Sequence, residues 1–168
     1  MNGWRVLSIS GAALDGESTP QVRLLDARVS GLDESGLAVT AQALSRTVGT
    51  RCASRSYRFP LALVAWHAAP VGIDIERITP WDDAFAESIR TPTERAAGCS
   101  TQDGDRHLSS LWSSKEALAK ALGDARQYDP RRLESPMVWP NGRSDPWRAT
   151  TLAAAPGYVA WLCWRRCD

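Results

Sequence analysis

Hydrophobic and polar positions fall into short blocks along this chain, and no single period runs through it. Arg5-Val6-Leu7-Ser8-Ile9-Ser10 is short and rich in β-branched residues, which predicts a strand, and Asp15 to Pro20 reads as a loop. Leu37, Ala41, Leu44 and Val48 recur at helical spacing, with Gly49 placed to cap that helix. A basic and polar stretch, Arg51 to Arg58, precedes the continuous apolar run Leu61-Ala62-Leu63-Val64-Ala65-Trp66, which has strand length. Ala68-Ala69-Pro70 then turns the chain into a second strand, Val71 to Glu76. Thr79-Pro80 carries a helix-start signal, followed by Trp81, Phe85 and Ile89 at i, i+4, i+8. Thr91-Pro92-Thr93-Glu94 repeats the signal with the residues of a capping box. After a polar loop over residues 98–105, a strong helix is predicted from about Ser109 to Leu122, stopping at Gly123. The proline-rich remainder reads as loop until an apolar strand over residues 159–164. Short strands and helices without a regular βαβ rhythm predict an α+β fold.

Composition narrows the functional classes. The chain has 168 residues, 43% of them apolar, which suits one domain or two small halves sharing a core. A formal net charge of +1 argues against a nucleic-acid binder, which needs a basic excess. The four cysteines form no Cys-x-x-Cys, and neither His67 nor His107 stands near a cysteine pair, so no zinc site or disulfide framework is expected. The first residues lack a basic segment leading into an apolar core, and no apolar run reaches the ~18 residues of a membrane span. A cytoplasmic protein with no membrane partner is the expectation.

Candidate chemistry sits on two elements. On the strand Val71 to Glu76, alternation sends Val71, Ile73 and Ile75 to one face and Gly72, Asp74 and Glu76 to the other. The two carboxylates then lie roughly 7 Å apart along the backbone, from ~3.3 Å per residue. Like charges this close disfavour ionisation unless a cation compensates, and oxygen ligands suit magnesium. The alternative is an edge strand with a solvated acidic face. On the helix, Leu111, Lys115, Leu118 and Leu122 line one side, while Trp112, Glu116 and Lys120 line another. Glu116 and Lys120 can form an ordinary surface pair; if the helix packs on the strand, Glu116 instead adds a third carboxylate and Lys120 a neighbouring cation.

Val71-Gly72-Ile73-Asp74-Ile75-Glu76, followed about 40 residues later by Trp112-Ser113-Ser114-Lys115-Glu116-Ala117-Leu118-Ala119-Lys120, resembles the 4′-phosphopantetheinyl transferase superfamily, in its longer, surfactin-synthetase-like form. Thr91-Pro92-Thr93-Glu94-Arg95 is similar to the helix start between the family's motifs, Gly157-Tyr158-Val159-Ala160 to its last strand, and Ser54-Arg55-Ser56 to its Ser-His-Ser segment, with Arg55 in place of the histidine. The resemblance implies two similar α/β halves related by a pseudo-two-fold axis, here residues 1–78 with the acidic strand and 79–168 with the long helix. It implies Mg2+ (or Mn2+) held by Asp74, Glu76 and Glu116, and coenzyme A contacted by Ser54, Arg55, Lys115 and Lys120. Glu116 and Lys120 would be the catalytic residues. The implied activity is transfer of phosphopantetheine from coenzyme A to a serine of an apo-acyl or apo-peptidyl carrier protein by a monomer. A homologue that binds coenzyme A or a carrier without turnover is the alternative. No Gly-Lys-Pro-like basic segment lies upstream; Arg46 and Arg51 are the nearest substitutes.

Overall fold

The computed structural model describes residues 4–7, 18–47, 49, 51–96 and 104–167. Leu61–His67 (β4) is buried along its whole length, so both of its faces need cover. Gln21–Asp26 (β2) and Cys52–Arg58 (β3) flank it antiparallel, and Trp4–Leu7 (β1) completes the first sheet in the order β1-β2-β4-β3. Val71–Arg77 (β5), Arg143–Ser144 (β6), Trp147–Thr151 (β7) and Tyr158–Arg165 (β8) form the second, in the order β5-β8-β7-β6. The helices are Ala27–Ser30 (α1), Glu34–Arg46 (α2), Asp83–Ile89 (α3), Pro92–Ala96 (α4) and Gly104–Leu122 (α5). This is the mixed α+β class that the element order predicts.

Apolar faces set the layering. Leu24, Leu61 and Leu63 of the first sheet share one core with Ile73, Ile75, Leu162 and Trp164 of the second. The outer face of the first sheet, with Leu25, Ala62 and Val64, packs on Leu37 and Ala41 of α2. The outer face of the second, with Trp161 and Cys163, packs on Ala117, Leu118 and Ala121 of α5. The layers thus run helix, sheet, sheet, helix. β5, grouped in sequence with residues 1–78, is hydrogen-bonded to β8 and so lies in the sheet of the later residues.

Alternation on β5 holds. Val71, Ile73 and Ile75 enter the shared core, and the opposite face meets α5. Gly72 is the point of closest approach: a Cβ there would stand 1.9 Å from the Ala117 carbonyl oxygen and 2.5 Å from the Ala121 nitrogen. Both are helix backbone, which cannot rotate aside. Gly72→Ala is therefore expected to push α5 off the strand and lower stability by about 1–3 kcal/mol. A urea midpoint unchanged from wild type would contradict that packing.

Several boundaries differ from those expected. The strand over residues 5–10 is described only to Leu7. β2, β3, β6 and β7 are additional strands; β3 reads as polar because it is an edge strand whose side chains are mostly exposed. α2 ends at Arg46 with Thr47 as its cap, because the Thr47 hydroxyl donates to the Leu44 carbonyl; Val48 lies outside the described residues. α3 starts after Asp82 rather than Thr79, since the Asp82 carboxylate accepts from Phe85 N–H at 2.7 Å. α5 begins at Gly104, five residues before Ser109, and residues 98–103 of the expected loop lie outside the described residues. Leu122, expected on the apolar side of α5, is exposed. The capping box at Thr91 is reciprocal: Thr91 N–H donates to Glu94 Oε2 at 2.9 Å, and Glu94 N–H to Thr91 Oγ1 at 3.2 Å.

Candidate active site

Two sheet edges meet where α5 crosses. β3 is the edge of the first sheet and β5 the edge of the second. The outward N–H groups of β5 are satisfied by β3 hydroxyls: Ile73 N–H donates to Ser54 Oγ at 3.1 Å and Ile75 N–H to Ser56 Oγ at 3.3 Å. Serines at alternate positions of a polar edge strand thus seal the neighbouring edge.

Asp74 and Glu76 are both buried in this junction. Asp74 Oδ1 accepts from Ser56 Oγ at 2.8 Å and from Lys120 Nζ at 2.7 Å. Its Oδ2 is buried with no hydrogen-bond partner among the described residues. Lys120 also donates to the Ile73 carbonyl at 3.2 Å, so the lysine of α5 is anchored on β5 rather than on Glu116 one turn away. Glu76 accepts from Arg58 of β3 through both oxygens, at 2.6 and 2.8 Å. Burial pushes the Glu76 carboxyl above its ordinary range, and the charge of Asp74 adds to the rise despite the pull of Arg58. Arg58 is held more firmly cationic by its hydrogen bond to Glu76, with smaller contributions from the charges of Asp74 and Glu116. Glu116 Oε1 accepts from the Tyr128 hydroxyl at 2.7 Å. Burial, then that hydrogen bond, pushes the Tyr128 phenol up.

The three carboxylates expected to hold magnesium do not converge as a ligand cluster, and no group of three or more metal-type side chains does so among the described residues. The reason is visible in their partners: Asp74 is turned to Lys120, Glu76 to Arg58 and Glu116 to Tyr128. The donor chemistry still fits a hard divalent cation. Asp74 Oδ2 is orphaned, and burial and the charge of Asp74 hold the Glu76 carboxyl above its ordinary range, both of which a hard cation would relieve.

Beside this junction lies an open cleft of ≈ 700 Å³, lined by Ser54, Arg55 and Tyr57 of β3, Lys120 of α5, and Arg126 of the following turn. Residues 70–150 match the family model of the 4′-phosphopantetheinyl transferase superfamily. That stretch, a little under half of the chain, is similar to the superfamily. It contains β5 and α5 and hence every acidic residue of the junction. No curated protein matches the chain.

Of the seven residues that the superfamily resemblance implies, the fold puts Lys120 on Asp74 and places Ser54, Arg55 and Lys120 along one cleft. Glu76 is paired with Arg58 and Glu116 with Tyr128. Lys115 stands apart. It is fully buried, and its ammonium donates to Glu94 Oε2 at 2.6 Å, the Ile89 carbonyl at 2.6 Å and the Pro130 carbonyl at 2.8 Å. All three donors are engaged in holding α3, α4 and the loop near Pro130 onto α5, which leaves none for a phosphate. Burial holds its ammonium below the ordinary lysine range, against the pull of Glu94.

Ser56, the last residue of the Ser54-Arg55-Ser56 resemblance, belongs to the same junction, as do Arg58 and Tyr128, which the sequence does not single out. The Glu76 shift has a measurable consequence. A carboxyl raised above its unfolded value binds more protons folded than unfolded, so its contribution weakens stability as pH rises through that window. Glu76→Gln removes that titrating group. With divalent cations chelated, urea unfolding is expected to show the variant gaining on wild type as pH rises above the ordinary carboxylate range. A relative loss over that rise would mean that the Arg58 pair outweighs burial.

Proposed function

We propose that the chain transfers the 4′-phosphopantetheine arm of coenzyme A to a serine hydroxyl of an apo-carrier protein, with Asp74, Glu76 and Glu116 holding a divalent cation. The observation that carries the reading is the contact between the two motifs: Lys120 of the helix on Asp74 of the strand, at 2.7 Å, beside a cleft lined by further cations. The match of residues 70–150 to the superfamily model supports phosphopantetheine transfer as the reaction class.

The residues divide the work. Lys120, Arg55 and Arg126 supply positive charge along the cleft for the phosphates of coenzyme A, arginine offering a permanent charge and a forked donor set. Glu116 accepts the proton of the carrier serine as its oxygen attacks the phosphorus next to the pantetheine arm. The new bond is serine oxygen to phosphorus; the bond that breaks joins that phosphorus to the bridging pyrophosphate oxygen. Adenosine 3′,5′-bisphosphate leaves. A divalent cation bound at the carboxylates would neutralise charge on the pyrophosphate, which is the main demand of phosphoryl transfer. Gly72 and Lys115 act at a distance by fixing α5 against β5 and against the loops behind it.

Intact mass spectrometry of an apo-acyl and an apo-peptidyl carrier protein, each incubated with this protein, coenzyme A and Mg2+, tests the reading. The expected result is a gain of one phosphopantetheine on at least one carrier, abolished by EDTA. No gain on either, with coenzyme A still bound, would replace it by binding without turnover.

A further inference from the structure

We propose that Tyr128 is the positioning residue for Glu116: its phenol fixes one carboxylate oxygen and leaves the other for the reacting centre. The inference rests on the role given to Glu116 above, and it concerns a residue outside both motifs.

The chain reaches Tyr128 by a built turn rather than a loose loop. Gly123 takes the left-handed conformation at φ 83°, its N–H donates to the Lys120 carbonyl, and Asp124 N–H donates to the Ala119 carbonyl, the paired bonds of a Schellman ending. Gln127 and Tyr128 N–H groups both donate to the Asp124 carbonyl, at 3.0 and 3.1 Å, which folds the segment back over the helix it has just left. The hydroxyl then meets Glu116 Oε1 at 2.7 Å.

Its ring is held as well. Tyr128 lies against Trp112, one turn before Glu116 on α5, with centroids 6.5 Å apart. Trp112 meets Phe85 edge-on at 5.6 Å, and Phe85 stacks on Trp81 at 4.4 Å. The Trp81 indole donates to Ser109 Oγ at 2.8 Å, tying the far end of this aromatic column back to α5. Trp112 of the helix motif thus acts as the shelf for the tyrosine, a purpose that packing alone does not require. A half-buried carboxylate on a helix has two equivalent oxygens and a freely turning terminal bond. Among the described residues its side-chain hydrogen bond is the one to Tyr128, and that bond makes the two oxygens inequivalent.

Tyr128→Phe removes the hydroxyl and keeps the ring on Trp112. The expected result is a kcat about tenfold lower with KM for coenzyme A within about twofold, since a hydrogen bond to a charged group is lost while the cleft is untouched. Titration with Mn2+ alone, followed by electron paramagnetic resonance, is expected to show affinity roughly tenfold weaker, as for other partners that orient a ligand. Wild-type kcat in the variant, or a loss carried by KM, would overturn the proposal. Should wild-type protein lack transferase activity altogether, the function proposed above fails, and the Mn2+ titration alone decides this inference: unchanged affinity overturns it, weakened affinity supports it. A urea midpoint close to wild type separates either effect from unfolding.

Discussion

Glu116→Gln is expected to lower turnover by roughly two to four orders of magnitude, the range that a positioned general base contributes. Glutamine has the same shape, and its amide oxygen can still accept from Tyr128, whose hydroxyl lies 2.7 Å from the Glu116 carboxylate. The fold should therefore survive, with an unfolding midpoint near wild type. What is lost is the negative charge, and with it the proton acceptor and cation ligand proposed above. Glu116→Ala should be as inactive and would also strand the Tyr128 hydroxyl. Initial rates of holo-carrier formation at saturating coenzyme A measure the effect. Retained turnover in Glu116→Gln would remove Glu116 from the chemistry and leave Asp74 and Lys120 as the centre of the site.

Lys115→Met should act on stability instead. The Lys115–Glu94 pair has side-chain exposures of 0% and 4%, so removing one charge leaves the other buried without its partner. Breaking such a pair costs about 3–5 kcal/mol. Against a total stability of about 5–15 kcal/mol for a natural domain, that is a large share. Glu94 keeps hydrogen bonds from Thr91 N–H at 2.9 Å and Ser135 N–H at 2.7 Å, so its capping role persists in part. Adding Glu94→Gln to the variant should recover much of the loss, because the remaining side chain is then neutral. Urea unfolding of the single and double variants tests both statements. If Lys115→Met keeps its stability and loses coenzyme A affinity, the phosphate contact implied by the family resemblance is correct and the buried network is not.

The contrast between the two lysines shows where a sequence reading reaches and where it stops. Alternation along residues 71–76 and spacing along α5 are local properties, so the acidic face of β5 and the polar side of α5 are legible in the order of residues alone. Which side chain reaches across is a tertiary matter. Lys115 and Lys120 stand five residues apart on one helix; one enters the network behind the helix and the other meets Asp74 in front. β3 is illegible as a strand for a related reason. Its serines and arginines look like loop chemistry, and only the partner edge of β5 explains them. Tyr128 is further from legibility still, since its contact with Glu116 depends on the reversal at Gly123. The burial of Leu111 and Leu118, by contrast, follows directly from helical spacing.

The seam between β3 and β5 also limits how a partner can be recognised. Many peptides bind by adding a strand to an exposed edge, using the outward N–H and carbonyl groups as the template. At β5 the template is already taken: the Ile73 and Ile75 N–H groups are held by Ser54 and Ser56, and the Ile73 carbonyl by Lys120. A chain arriving at the acidic junction finds these three groups of the edge already occupied. On the function proposed above, a partner presenting its serine hydroxyl there would be read by side chains and shape rather than by adding a strand to β5.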